Sequence, residues 1–258
     1  MKKRGKIIIA NWKMYPETPG EAKDIFMAVR KCAASLNKVI TVICPPLIYL
    51  RPLEKLAGSK NLFLGAQNTF SEKSGSYTGE VSPSMIANTG GSFVILGHSE
   101  RRALFNETDD IINKKILKAL HAGLKVIICI GEKIRDTHGD YLEFIKNQIK
   151  YALANVEGRY MKSIVVAYEP VWAIGKKDTE AMTPRDLHEM SIYIRKVITD
   201  LYNPDLTQGV KVVYGGSVSS RNAADIMKQG EVDGLLIGRA SLSSFDFNEI
   251  LKIANDLK

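Results

Sequence analysis

Five short segments of the sequence carry groups suited to moving a proton, binding an anion or steadying negative charge. They are Asn11 with Lys13, Gly97-His98-Ser99-Glu100, Glu169-Pro170, Gly215-Gly216-Ser217 and Gly238-Arg239. Together they supply a cation, an imidazole, a carboxylate and two glycine-containing turns. A positioned carboxylate or imidazole can take up and return a proton. Turns rich in backbone N–H groups suit a phosphate. Each segment also has an ordinary reading. A single Glu or Lys is usually a surface charge, a single His a structural residue, and Gly215-Gly216 a turn. Trp172 reads as packing, and Cys129 as a small buried hydrophobe. The case for chemistry rests on a shared position, because each segment directly follows a short apolar run.

Eight such β-branched runs occupy residues 6–10, 39–44, 61–66, 93–96, 125–130, 164–168, 210–214 and 234–237. Each is apolar throughout rather than alternating, as in strands buried on both faces of a parallel sheet. They recur about once per 32 of the 258 residues, the length of a strand–helix unit. Helical stripes lie between them. Residues 21–36 align Ala22, Ile25, Phe26, Val29 and Ala33, and residues 109–122 align Ile112, Ile116, Leu117 and Leu120 ahead of Gly123. Thr183-Pro184 reads as the N-cap and first turn of a helix running through Leu187, Met190, Ile194 and Val197. Residues 220–230 and 246–257 complete the set.

This alternation, with no linker or low-complexity tract, predicts an α/β fold. The expected form is a single (β/α)8 barrel domain over residues 1–258, with eight parallel strands inside and helices outside. The alternative, an open doubly wound sheet, would carry a glycine-rich turn where Ala10-Asn11-Trp12-Lys13 stands. In such a barrel, reactive groups sit at the carboxyl ends of the strands, where all five segments fall. The turns after the seventh and eighth strands commonly hold phosphate.

Lys and Arg number 36 against 28 Asp and Glu, a net charge of +8. The positive residues are scattered among acids without interleaved aromatics, as at Lys114, Lys115 and Lys118. They read as solvated faces rather than a nucleic-acid surface, and a small anionic substrate also suits this balance. A content of 45% hydrophobic and 25% charged residues excludes a disordered chain and a collagen. Three cysteines, Cys32, Cys44 and Cys129, have no CxxC spacing and no clustered His. They argue against a disulfide framework and a structural zinc site and predict a reducing, cytoplasmic setting. The apolar stretch at residues 7–10 is too short for a signal peptide, and no run approaches the roughly 20 residues of a membrane span.

Several longer motifs resemble the triosephosphate isomerase family. They are Asn11-Trp12-Lys13-Met14, Gln67-Asn68, Tyr77-Thr78-Gly79-Glu80, Gly97-His98-Ser99-Glu100-Arg101-Arg102, Ala167-Tyr168-Glu169-Pro170-Val171-Trp172-Ala173-Ile174-Gly175 and Tyr214-Gly215-Gly216-Ser217-Val218. The resemblance runs in order from residue 7 to about residue 250. It implies interconversion of dihydroxyacetone phosphate and glyceraldehyde 3-phosphate through an enediolate, without metal or other cofactor. It further implies Glu169 as catalytic base, His98 as electrophile, Lys13 as the cation on the substrate and Asn11 in the same pocket. The backbone of Gly175, Ser217, Gly238 and Arg239 would hold the phosphate. Pro170, Val171, Trp172, Ala173, Ile174 and Gly175 would form the front half of a lid. Thr78 would be the tip of a loop entering the partner of a homodimer.

The residue types support the same chemistry. A carboxylate can carry a proton between adjacent carbons, and His98, Asn11 and Lys13 can donate to the enediolate oxygens. Ser99-Glu100 can open a helix, whose N-terminus disfavours an imidazolium at His98. An enediolate exposed to water would lose phosphate, so a lid is required.

Three positions depart from the family pattern. Residues 176–182 are about two longer than expected and charged, Arg239 stands where a second Gly is usual, and Tyr15 stands where Asn is usual. The Arg239 side chain has three open placements: toward the phosphate, outward to Asp178 or Glu180 as a lid latch, or into solvent. Two rival functions are a Schiff-base aldolase on the same barrel and a catalytically inactive barrel that binds nucleic acid. The first needs a lysine on an inner strand, typically the sixth, and residues 164–168 carry none. The second leaves the full set of reactive residues unexplained.

Overall fold

The computed structural model describes residues 5–58, 60–175 and 182–257. Eight parallel strands close into a barrel in chain order. They are β1 (Lys6–Asn11), β2 (Val39–Cys44), β3 (Leu62–Ala66), β4 (Phe93–Leu96), β5 (Lys125–Ile130), β6 (Ile164–Tyr168), β7 (Lys211–Tyr214) and β8 (Gly234–Ile237). Strand β1 pairs with β2 from Lys6↔Val39 to Asn11↔Cys44, and β8 returns to β1 through Ile7↔Gly234. Closure depends on Gly234, where a Cβ would stand 1.7 Å from the Ile7 carbonyl oxygen.

Two apolar clusters explain why the strands read as unbroken apolar runs. Ile7, Ile9, Val42, Phe93, Ile95, Ile127, Val165, Val213 and Leu236 belong to one, which fills the barrel. Their neighbours Ile8, Ile43, Val94, Ile128, Val166 and Leu235 belong to the other, with Phe26, Ile116, Ile194 and Ile250 of the surrounding helices. Alternate residues face opposite sides of a strand, and here both sides are dry.

The helices are α1 (Pro19–Ala34), α2 (Leu47–Glu54), α3 (Pro83–Asn88), α4 (Ser99–Leu104), α5 (Asp109–His121), α6 (Asp140–Ala152), α7 (Pro184–Leu201), α8 (Pro204–Thr207), α9 (Ala223–Gln229) and α10 (Ser244–Asp256). Helix α7 begins as expected: the Thr183 side chain accepts from the Asp186 N–H, and Pro184 stands in the first turn. Helix α1 starts earlier than residue 21, because Thr18 caps it and Pro19 opens it. Helix α9 starts later than residue 220, because the Asn222 side chain accepts from Ser219 N–H and donates to Ser217 O, holding residues 219–222 as a turn. Helix α10 starts at Ser244 rather than 246, capped by Ser243. Among the described residues, no helix is long and apolar enough to cross a membrane.

Candidate active site

The carboxyl ends of the strands open on one cavity. Asn11, Lys13, His98, Glu169, Ile174, Gly175, Ser217, Gly238 and Arg239 all line it. Pro170, Val171, Trp172 and Ala173 are not among its lining residues, and neither is Thr78, which lies on an exposed loop. Of the longer lid segment, residues 176–181 with Lys176, Lys177, Asp178 and Glu180 lie outside the described residues, and Met182 is buried. A separate small cleft between α7, α8 and β7, lined by Arg195, Ile198, Thr199 and Pro204, contains none of the expected site residues.

Asn11 ends β1 and is buried. Its Oδ1 accepts from the Lys13 N–H at 3.1 Å, while Gln67 Nε2 donates to the Lys13 carbonyl at 2.8 Å and to that of Cys44 at 2.9 Å. These bonds hold Lys13 at φ 54°, a left-handed conformation unusual for a non-glycine residue. The lysine side chain then passes Gly238, where a Cβ would lie 3.4 Å from Lys13 Cε. Its Nζ meets Glu100 Oε1 at 2.5 Å.

His98 is the N-cap of α4. Its Nδ1 accepts from the Glu100 N–H at 3.2 Å. A ring nitrogen that accepts carries no proton, so this bond places the proton of the neutral ring on Nε2. Nε2 faces the cavity, 3.5 Å from Glu169 Oε1.

Glu169 directly follows β6, with its N–H bonded to Ile130 O at 2.7 Å. It is only 2% exposed, and its Oε2 has no hydrogen-bond partner among the described residues. Two glycines make room for it. A Cβ at Gly131 would stand 1.8 Å from Glu169 O, and one at Gly215 would stand 2.6 Å from Glu169 Cγ. Cys129 is buried as expected, and its thiol packs against the same carboxylate. Burial first, then the Glu169 charge and hydrogen bond, push that thiol well above its ordinary range, so it stays protonated.

The lid residues are tied from below by a group that the sequence reading missed. Glu132 lies two residues past β5 and is 1% exposed. Its carboxylate accepts from Trp172 Nε1 at 2.9 Å and from the Tyr168 hydroxyl at 2.9 and 3.1 Å. Its backbone carbonyl accepts from the Val171 N–H, and Ser217 Oγ donates to the Ala173 carbonyl at 3.0 Å. Burial, reinforced by the Glu132 charge and hydrogen bond, raises the Tyr168 phenol far above its ordinary value, so it acts as a donor. The signal for Glu132 was its place just past a strand end, the rule that found the other site residues.

Met14, Tyr15, Leu47, Leu104 and Phe105 form an apolar part of the cavity wall and are all exposed, Met14 to 89%. The loop carrying Thr78 borders this wall through Gly79 and Glu80. Its base is held by a buried cluster in which Lys115 Nζ reaches Glu107 Oε1 at 2.5 Å and Asn68 Oδ1 at 2.9 Å, and Arg101 reaches Glu107 at 2.6 Å.

Comparison with known proteins agrees with this geometry. The sequence model described as triosephosphate isomerase matches residues 6–254. The triosephosphate isomerase of Dictyoglomus turgidum is 41% identical over 250 residues, covering 96% of this chain and 99% of the relative. That of Thermoanaerobacter pseudethanolicus is 40% identical over 253 residues, with 96% and 99% covered. That of Chloroflexus aurantiacus is 39% identical over 246 residues, with 95% and 97% covered. A closed eight-stranded barrel, a buried Glu–His pair at its carboxyl rim and near-full-length similarity together make the chain a member of the triosephosphate isomerase family.

Proposed function

We propose that this chain interconverts dihydroxyacetone phosphate and D-glyceraldehyde 3-phosphate through an enediolate, with Glu169 as the base. Glu169 removes a proton from one carbon and returns it to the neighbouring carbon, and the hydroxyl proton passes between the two oxygens beside His98. The single observation that carries this reading is the placement of the pair: a buried Glu169 carboxylate, its Oε2 without a hydrogen-bond partner among the described residues, with Oε1 3.5 Å from Nε2 of a His98 whose Nδ1 accepts the Glu100 N–H. An imidazole N–H, Asn11 and Lys13 stabilise charge as it forms on the substrate oxygens. Adjacent-carbon proton transfer involves no net oxidation, so the reaction requires no redox cofactor.

The backbone at Gly175, Ser217, Gly238 and Arg239 receives the phosphate, and residues 170–175 cover the site. Trp172 anchored on Glu132 supports that cover, which keeps water from the enediolate. A coupled assay on glyceraldehyde 3-phosphate tests the reading: metal-free isomerisation supports it, and no turnover refutes it.

The chain also acts as a homodimer in the cytoplasm. The apolar wall of Met14, Tyr15, Leu47, Leu104 and Phe105 suits burial against a second copy, and Thr78 on its exposed loop reaches the partner near Lys13. The cysteines are free thiols, in keeping with a reducing compartment. Light scattering at assay concentration should give twice the chain mass; a fully active monomer would refute the dimer.

A further inference from the structure

Three cations line the described cavity: Lys13, Arg101 and Arg239. Lys13 is engaged by Glu100, and Arg101 by Glu107. Arg239 is exposed and has no ion-pair or hydrogen-bond partner for its guanidinium among the described residues. The same cavity carries Glu17, Glu80, Glu169 and Asp246, so a doubly charged phosphate entering it meets several carboxylates. Arg239 also occupies a fixed position. It opens the 3-10 turn Arg239–Ser241 directly after Gly238, and Ser241 ties that turn down with two bonds to Gly238 O, from its N–H at 2.9 Å and its Oγ at 2.6 Å.

We propose that the Arg239 side chain is a phosphate-binding group of this site, adding a guanidinium contact to the backbone N–H groups of the turn. The inference rests on the phosphorylated-triose reading above. A guanidinium offers paired donors that match phosphate oxygens, and a charge-assisted bond is stronger than a neutral one. The phosphate lies away from the reacting carbons, and the proposal assigns the guanidinium a contact made alike in ground and transition states. Arg239 therefore sets affinity and leaves the chemical step alone.

The test compares wild type with Arg239→Gln, Arg239→Gly and Arg239→Lys. The readouts are steady-state kinetics and calorimetric binding of inorganic phosphate. In the Gln and Gly variants, KM and the phosphate Kd should rise together by roughly tenfold, so that kcat/KM falls through KM. Lys should restore only part of the affinity, because it lacks the paired donors. Raising the ionic strength should narrow the gap between wild type and Gln. A phosphate Kd within twofold of wild type in both the Gln and Gly variants would overturn the proposal. So would a change confined to kcat, which would assign Arg239 to lid motion through Asp178 or Glu180. The phosphate titration reads Arg239 without turnover, so inactive wild type would refute the isomerase reading while leaving the binding result interpretable.

Discussion

His98 Nε2 stands 3.5 Å from Glu169 Oε1, and neither residue is more than 7% exposed. The spacing is longer than a strong hydrogen bond. Both groups line the same cavity, so a substrate between them can meet the carboxylate at a carbon and the imidazole at the adjacent oxygen. The Glu100 N–H fixes the imidazole tautomer from behind, and Gly131 and Gly215 admit the carboxylate.

The donor role of His98 is open to direct test. His98→Gln keeps a polar side chain but loses the Nε2–H position set by the Glu100 N–H. The value of kcat should fall by roughly 10²-fold or more, the usual cost of an oxyanion donor, with a smaller change in KM. A kcat within threefold of wild type would show that the imidazole is not the electrophile.

The cluster beneath the Thr78 loop bears on stability. Lys115 is 4% exposed, and desolvation lowers its pKa against the opposing pull of Glu107. Lys115→Met leaves the buried Glu107 carboxylate with Arg101 alone and frees Asn68 at the foot of the loop. Breaking a buried pair from one side costs about 3 kcal/mol, or roughly 6–12 °C in Tm for a chain of this size. A thermal melt within one degree of wild type would contradict this account.

Acid should act through the entry to α6. The Asp136 carboxylate accepts from the N–H groups of His138, Gly139, Asp140 and Tyr141. Desolvation is the largest single influence on its pKa and raises it. The four backbone bonds together outweigh it and hold the carboxyl below its ordinary value of 3.8. A lowered folded pKa means that the stabilisation is complete above 3.8 and is lost as pH falls through the folded value. Asp136→Asn should therefore lower Tm at pH 7 and converge on wild type near pH 2. An equal Tm gap at both pH values would refute the assignment.

The residues that reveal the fold from sequence are those whose local and global roles coincide. The strands were legible because both their faces are dry, which writes apolar residues along the whole of β4 and β6 and along β5 after Lys125. Thr183-Pro184 announced α7 because cap and helix share one short stretch. Helix α6 was hidden: its N-cap Gly139 is left-handed and has no capping side chain, and the Asp136 carboxylate that accepts from its first N–H groups stands three residues ahead of the cap. Asn11, Lys13, His98 and Glu169 were legible because strand ends index the barrel rim. Glu132 escaped because its function depends on Trp172 and Tyr168, 40 and 36 residues further along the chain. Only the closed barrel brings those residues together.

The base itself gives the most direct test. Glu169→Asp keeps the charge and the buried surroundings but draws the carboxylate back by about one methylene from where Oε1 faces His98 Nε2. Proton transfer depends steeply on that distance. The account predicts that kcat for glyceraldehyde 3-phosphate falls by roughly 10²-fold or more while KM stays near the wild-type value. A Glu169→Asp enzyme that turns over at the wild-type rate would contradict it.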